Sequence, residues 1–356
     1  MPRHFLSRRR FLQATGLATL GIPAASVTAA SNTPTLPLLK PPRLQPGDTV
    51  GLISPGGLIS TAISVRSAEE DLAKLGLRTK RGRHVLSKRG YLGGTDQERA
   101  LDVNAMFADP EVKGIVTMRG GWGCSRILPL LDYDLIRANP KILVGFSDIT
   151  SLLLAIYARS GVVTFHGPVG ISSWNDFTVE YFLRTLFDGE RVRMENPEQG
   201  HLLFASEFQS DRERTVHTIT PGKARGRLVG GNLSVLTAII GSDYLPDWSG
   251  HILFLEDVGE QTYRIDRMLT QLKLAGILDQ LAGFVFGQCS DCDPGRGADE
   301  LTLEEVFNDH IAPLGIPAFH GSAIGHISDK FTVPLGIEAE INATTGTITL
   351  LESAVV

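Results

Sequence analysis

The chain has 356 residues, 42% of them hydrophobic and 21% charged, with a formal net charge of -5. This much apolar material supports one or two packed cores and excludes a disordered or collagen-like chain. The acidic balance excludes capture of nucleic acid or anionic lipid by bulk electrostatics, and Cys124, Cys289 and Cys292 are too few for a disulfide framework.

Residues Ser7-Arg8-Arg9-Arg10-Phe11-Leu12 form a twin-arginine pattern, followed by an uncharged stretch from Ala14 to Ala30. That stretch is too weakly apolar for a stable bilayer span, and its small residues predict signal-peptidase cleavage after Ala29 or Ala30. Residues 1–30 are therefore expected to direct export to a periplasmic or other extracytoplasmic home; a basic tail without an address is the plainer reading. Residues 31–47 carry five prolines and read as an extended leader.

From Asp48 onward, short apolar runs alternate with helix-period segments. Strands are expected at Thr49 to Ile53, Gly114 to Met118 and Ile142 to Val144, and helices at Ala68 to Leu75 and from Leu152 to Ala158, ending near Gly161. Unbroken apolar strands joined by helices predict an α/β domain over residues 48–171, with a doubly wound, mostly parallel sheet. Residues 172–220 are charged and turn-rich and read as the crossing between two domains. A smaller α/β domain is expected over residues 221–356. Its strands are Arg227 to Val229, His251 to Leu255 and Phe284 to Phe286, and its helices Leu233 to Ile240 and Tyr263 to Ala275 precede Gly241 and Gly276.

The segment Ile142-Leu143-Val144-Gly145-Phe146-Ser147-Asp148 runs from a buried strand through a glycine and a serine into a helix. A nucleophile elbow has this form, with the Asp148 N–H placed to stabilise developing negative charge, yet the second glycine of G-x-S-x-G is absent. Ser147 reads equally well as a helix cap with Asp148 assisting the dipole. The turn Arg119-Gly120-Gly121-Trp122-Gly123 offers further backbone donors at Gly120 or Gly121, or is a plain tight turn; a phosphate-cradling motif does not match. A serine hydroxyl needs a base and the base an orienting acid. His326, after Gly325, and Glu256, at the end of an apolar strand, are the candidates. The competing readings are a structural histidine and an ion pair of Glu256 with Arg264 or Arg267. Cys289 and Cys292 lie in a polar turn and read as a loop pair or an envelope disulfide. Asp291, Asp293 and Asp299 lack EF-hand spacing, no zinc cluster is evident, and Trp122 and Trp248 are cleft or packing residues.

Taken together, these segments resemble the L,D-carboxypeptidase family of serine peptidases, which includes murein tetrapeptide carboxypeptidases and microcin C self-immunity peptidases. The resemblance runs from about Asp48 to Ile348. It rests on Tyr91-Leu92-Gly93-Gly94-Thr95-Asp96 with Arg99, Arg119-Gly120-Gly121-Trp122-Gly123, Gly145-Phe146-Ser147-Asp148, His166-Gly167-Pro168, Gly230-Gly231-Asn232-Leu233, Glu256-Asp257, Tyr263-Arg264-Ile265-Asp266-Arg267 and Gly325-His326. It implies Ser147 as nucleophile, His326 as general base, Glu256 as the orienting acid, and backbone oxyanion donors at Asp148 and the Gly120-Gly121 turn. It also implies an active site in the cleft between two domains, no metal or organic cofactor, and a homodimer. Trp122 and Phe146 stand where the family often has tyrosine.

The expected reaction is hydrolysis of the amide between the L-centre of diaminopimelate or lysine and a terminal D-alanine in murein tetrapeptides. Arg119, Trp122, Asn232 and Arg264 are candidates for substrate contact. The alternatives are a peptidase acting on microcin-like peptide conjugates and a non-catalytic periplasmic muropeptide-binding protein. No nucleic-acid partner and no stable membrane insertion are expected.

Overall fold

Buried β-strands in two sheets carry the site. The structure, a computed structural model, describes residues 36–197, 215–292 and 300–356. The twin-arginine segment and its cleavage site, the start of the proline-rich leader, the charged run Ser210 to Arg214, and Asp293 and Asp299 lie outside the described residues. Among those described, no helix is long and apolar enough to cross a membrane.

The strands in chain order are β1 (Thr49–Ile53), β2 (Arg78–Arg81), β3 (Val112–Thr117), β4 (Ile142–Gly145), β5 (Thr164–His166), β6 (Arg193–Met194), β7 (His217–Thr220), β8 (Lys223–Asn232), β9 (Ile252–Val258), β10 (Gly283–Ser290), β11 (Ala318–His320), β12 (Val333–Leu335), β13 (Glu338–Asn342) and β14 (Thr347–Leu350). The first sheet has the order β12-β5-β4-β3-β1-β2. Its members from β1 to β5 pair in parallel, and β12 closes the edge antiparallel to β5. Every residue of β4 is buried, as a strand covered by helices on both faces requires. The second sheet is mixed, ordered β6-β14-β13-β8-β9-β10-β11-β7, with β8, β9, β10 and β11 in parallel at its centre. With eight strands against six, it is the larger sheet.

Local chemistry sets the helix boundaries. The helix expected from Ala68 begins at Ala62, because the Thr61 side chain accepts the Ser64 N–H and caps it there. Thr95 and Glu98 form a reciprocal capping box at the start of the helix Asp96–Ala108. The helix Thr150–Ser160 ends at Gly161 in the left-handed conformation, as the glycine predicts. Residues 172–220 hold more regular structure than their composition suggests. The helix Asp176–Leu186, capped by Asn175, buries Tyr181, Phe182 and Leu186. Its Thr178 hydroxyl donates to the Ser328 carbonyl and accepts the Lys330 N–H, fastening the segment that follows His326.

Candidate active site

Ser147 has a backbone φ of 64°, one of two non-glycine residues in the left-handed region among the described residues. That conformation costs a β-carbon-bearing residue ~1–2 kcal/mol and persists only where the surroundings enforce it. Here the all-buried strand β4 drives into a short 3-10 turn, Ser147–Ile149, that leads directly into the helix Thr150–Ser160. No side-chain capping bond is made at this helix start, so the helix-cap reading of Ser147 does not hold and the hydroxyl is left at the surface of a cavity. Asp148 is buried, and its Oδ2 accepts the Cys124 N–H at 2.8 Å, tying the elbow to the glycine-rich turn. Burial raises the Asp148 carboxyl above its ordinary range, against the N–H donors that lower it. Its own N–H, among the first of the helix, is free of an intrahelical acceptor.

The glycine-rich turn passes within contact distance of the serine. A methyl on Gly120 would stand 2.6 Å from the Ser147 Cβ, so only glycine brings this backbone so close. The Arg99 guanidinium holds the turn from beneath. Buried to 1% exposure, it donates to the carbonyls of Pro55 and Gly123 and pairs with Asp96, which also binds Arg126.

Glu256 lies within β9 and is fully buried; the strand continues three residues beyond the expected end at Leu255, to Val258. His326 Nδ1 lies 2.8 Å from Glu256 Oε2, with the imidazole 21% exposed. Burial pushes the Glu256 carboxyl up, but the His326 hydrogen bond and the nearby imidazoles outweigh it and hold it below its usual value. An ionised Glu256 accepts from Nδ1–H, which leaves the Nε2 lone pair toward the cavity. Gly325, at φ 134°, makes room: a methyl there would press to 3.2 Å from Glu256 Oε2. Glu256 therefore pairs with His326, whereas Arg264 pairs with Glu260.

Ser147 and His326 face one cavity of about 480 Å³, which Gly120, Gly121, Arg119 and Lys330 also line. No hydrogen bond joins the Ser147 hydroxyl to the imidazole among the described residues; such contacts tighten when substrate binds. The Phe146 ring packs edge-on against His326, 4.8 Å between centroids, and against buried His166 at 6.1 Å. Burial lowers His166 to about 4, so it is neutral, and neither ring nitrogen has a partner among the described residues.

Two candidates for substrate contact lie elsewhere. Asn232 caps the helix Leu233–Ala238 by accepting the Val235 N–H and donates its amide to Asp257 at 3.1 Å. Trp122 is 62% exposed and packs against Tyr91, off the cavity wall. Trp248 is buried in the core. Cys289 and Cys292 are joined as a disulfide, and the loop they close sends Ser290 and Asp291 to the cavity; Ser290 Oγ donates to the His326 carbonyl at 3.1 Å. Among the described residues, the group of side chains suited to a metal is His217, Glu304 and His320, whose ligand atoms lie within 4.8 Å of one another. His217 and His320 are on β7 and β11, beyond β10 from the strand carrying Glu256, and none of the three lines the cavity. Sequence reasoning missed Lys330; a lone lysine before the apolar run Phe331 to Leu335 was the available signal.

The family comparison accords with this geometry. Residues 50–167 match the model of the LD-carboxypeptidase N-terminal domain, and residues 225–341 that of the LD-carboxypeptidase C-terminal domain. The chain belongs to the LD-carboxypeptidase family. It is 39% identical over 314 residues to the "Probable murein peptide carboxypeptidase" of Bacillus subtilis, covering 85% of this chain and 91% of that one. It is 32% identical over 336 residues to the microcin C7 self-immunity protein MccF of Escherichia coli, covering 89% and 96%. The solved structure of MccF in complex with glutamyl sulfamoyl guanosine superposes with a TM-score of 0.80 at 28% identity, covering 89% of this chain and all of that one. Members of this family are carboxypeptidases, and the fold is the two-part α/β arrangement of its solved structures.

Proposed function

We propose that the protein is a serine L,D-carboxypeptidase that releases the terminal D-alanine of murein tetrapeptides through Ser147, His326 and Glu256. The observation that carries this reading is the strained Ser147 elbow sharing a cavity with an imidazole whose far nitrogen is bonded to a buried carboxylate. His326 Nε2 takes the hydroxyl proton as Ser147 Oγ attacks the carbonyl of the third stem residue. The tetrahedral oxyanion is met by the Asp148 N–H and the Gly120-Gly121 backbone, each donor worth ~3–4 kcal/mol. The imidazolium then protonates the leaving amine of D-alanine, and water repeats the cycle on the acyl-enzyme. Glu256 holds the tautomer and stabilises the transient imidazolium.

Incubating the purified protein with murein tetrapeptide tests the reading. Tripeptide plus free D-alanine in equal amounts is expected; binding without turnover would favour a muropeptide receptor instead. The similarity to MccF motivates a second reading, a peptidase of aminoacyl-nucleotide conjugates. Preferential cleavage of such a conjugate in the same assay would favour it. The twin-arginine leader supports an extracytoplasmic site of action, and family resemblance supports a homodimer. Sequencing the mature N-terminus and sedimentation of the purified enzyme test these two proposals.

A further inference from the structure

A carboxypeptidase must hold the free carboxylate on which its substrate ends. A carboxylate drawn out of water needs a cation or several N–H donors to replace its hydration. That carboxylate belongs to the leaving residue itself, roughly one residue length from the acyl residue (~3.8 Å between consecutive Cα atoms), so its anchor must share the cavity of Ser147.

Two cations line that cavity, Arg119 and Lys330. Arg119 is partly exposed, and its guanidinium lies 3.4 Å from the Leu58 carbonyl. Lys330 is 5% exposed, and no hydrogen bond or ion pair among the described residues engages its ammonium. The Nζ sits 4.9 Å from the centroid of the ring of Phe146, the residue before Ser147, and that ring also packs against the His326 and His166 imidazoles. Lys141, also buried, differs: its ammonium donates to the carbonyls of Met106 and Asp109. Burial lowers Lys330 to about 8, with Glu256 and Asp329 opposing the shift, so the group remains a cation at neutral pH.

We propose that Lys330 is the carboxylate-binding residue of this cavity, its ammonium receiving the free α-carboxylate of the residue that leaves. The assignment rests on the peptidase reading above. It predicts a preference for chain ends as well as their binding. A peptide continuing past the scissile bond brings no anion, and leaves a buried ammonium still unpaired.

The test is calorimetry in the Ser147→Ala background, using murein tetrapeptide and the same peptide ending in a C-terminal amide, with and without Lys330→Met. The acid should bind at least ~10-fold tighter than the amide, and Lys330→Met should weaken the acid ~10–100-fold while leaving the amide within ~3-fold. Lys330→Arg, which keeps the charge, should recover part of the preference and guards against a variant that fails to fold. A preference that survives Lys330→Met, or an equal loss for acid and amide, overturns the assignment. Wild-type release of D-alanine with a lysine-independent preference defeats this inference alone. A lysine-dependent preference without D-alanine release upholds carboxylate binding by Lys330 and defeats the peptidase reading, and with it the role in cleavage. Failure of the tetrapeptide to bind defeats both.

Discussion

Arg99 and Lys330 are both cations enclosed by protein, one under the glycine-rich turn and one in the wall of the cavity that the turn borders. Arg99 reaches two carbonyls and a carboxylate, so its charge is matched inside the fold. Lys330 has an aromatic face and open cavity before it. Burying either charge costs several kcal/mol before compensation. Where the compensation lies within the chain, the residue is scaffold; where it is withheld, the fold bears a cost that a ligand can relieve.

Opposite responses to charge removal would sharpen this contrast. Arg99→Met should show the largest effect, a loss of ~3–5 kcal/mol in urea unfolding, because it strands the Pro55 and Gly123 carbonyls and removes a buried partner of Asp96. A loss below ~1 kcal/mol would mean that the network does not hold the turn. Lys330→Met should move stability the other way, by about 1–3 kcal/mol at neutral pH. The folded ammonium titrates near 8 instead of its ordinary 10.5, so folding opposes its protonation. The penalty is full below about 8 and fades as pH rises through 10.5, and over that window the wild type should gain on the variant. Equal or lower stability of Lys330→Met at neutral pH would break the comparison.

The smallest effect belongs to the exposed side of the Arg99 network. Arg126 chiefly, with Arg99, holds Asp96 at about 2 against burial, below its ordinary 3.8. The stability this supplies is present above 3.8 and lost as pH falls through about 2. Discounted for the half-exposed Arg126, it amounts to about 1 kcal/mol. The gap in unfolding midpoint between wild type and Asp96→Asn should narrow between pH 4 and 2; a gap constant with pH would assign the effect to packing.

Much of the frame was legible because buried parallel strands leave unbroken apolar runs. β1 matches its expected limits, and β4 differs from them by only one residue. The fold also places His326 Nδ1 2.8 Å from Glu256 Oε2, two residues that the family motifs linked and that neither could suggest alone. Other features depend on contacts distant in sequence. β12 joins the first sheet through β5, far earlier in the chain, and no local pattern encodes that pairing. Asn232 follows a pair of glycines and reads as a ligand contact; an asparagine before an apolar helix is also a cap signal, and here its side chain both caps that helix and bonds Asp257 beside Glu256. Lys330 has the composition of a surface position; only the packing of Phe146 against it and the bonds of Thr178 to its backbone reveal the burial. The helix Asp176–Leu186 was hidden by the charged residues around it, which mask its apolar face.

The central claim is that the Ser147 hydroxyl is the nucleophile, and the most direct measurement is D-alanine release from murein tetrapeptide by Ser147→Ala beside the wild type. A fall of ~10⁴-fold or more in turnover, with the unfolding midpoint unchanged, is the predicted result. Release at a rate near that of the wild type from a folded Ser147→Ala protein would contradict it.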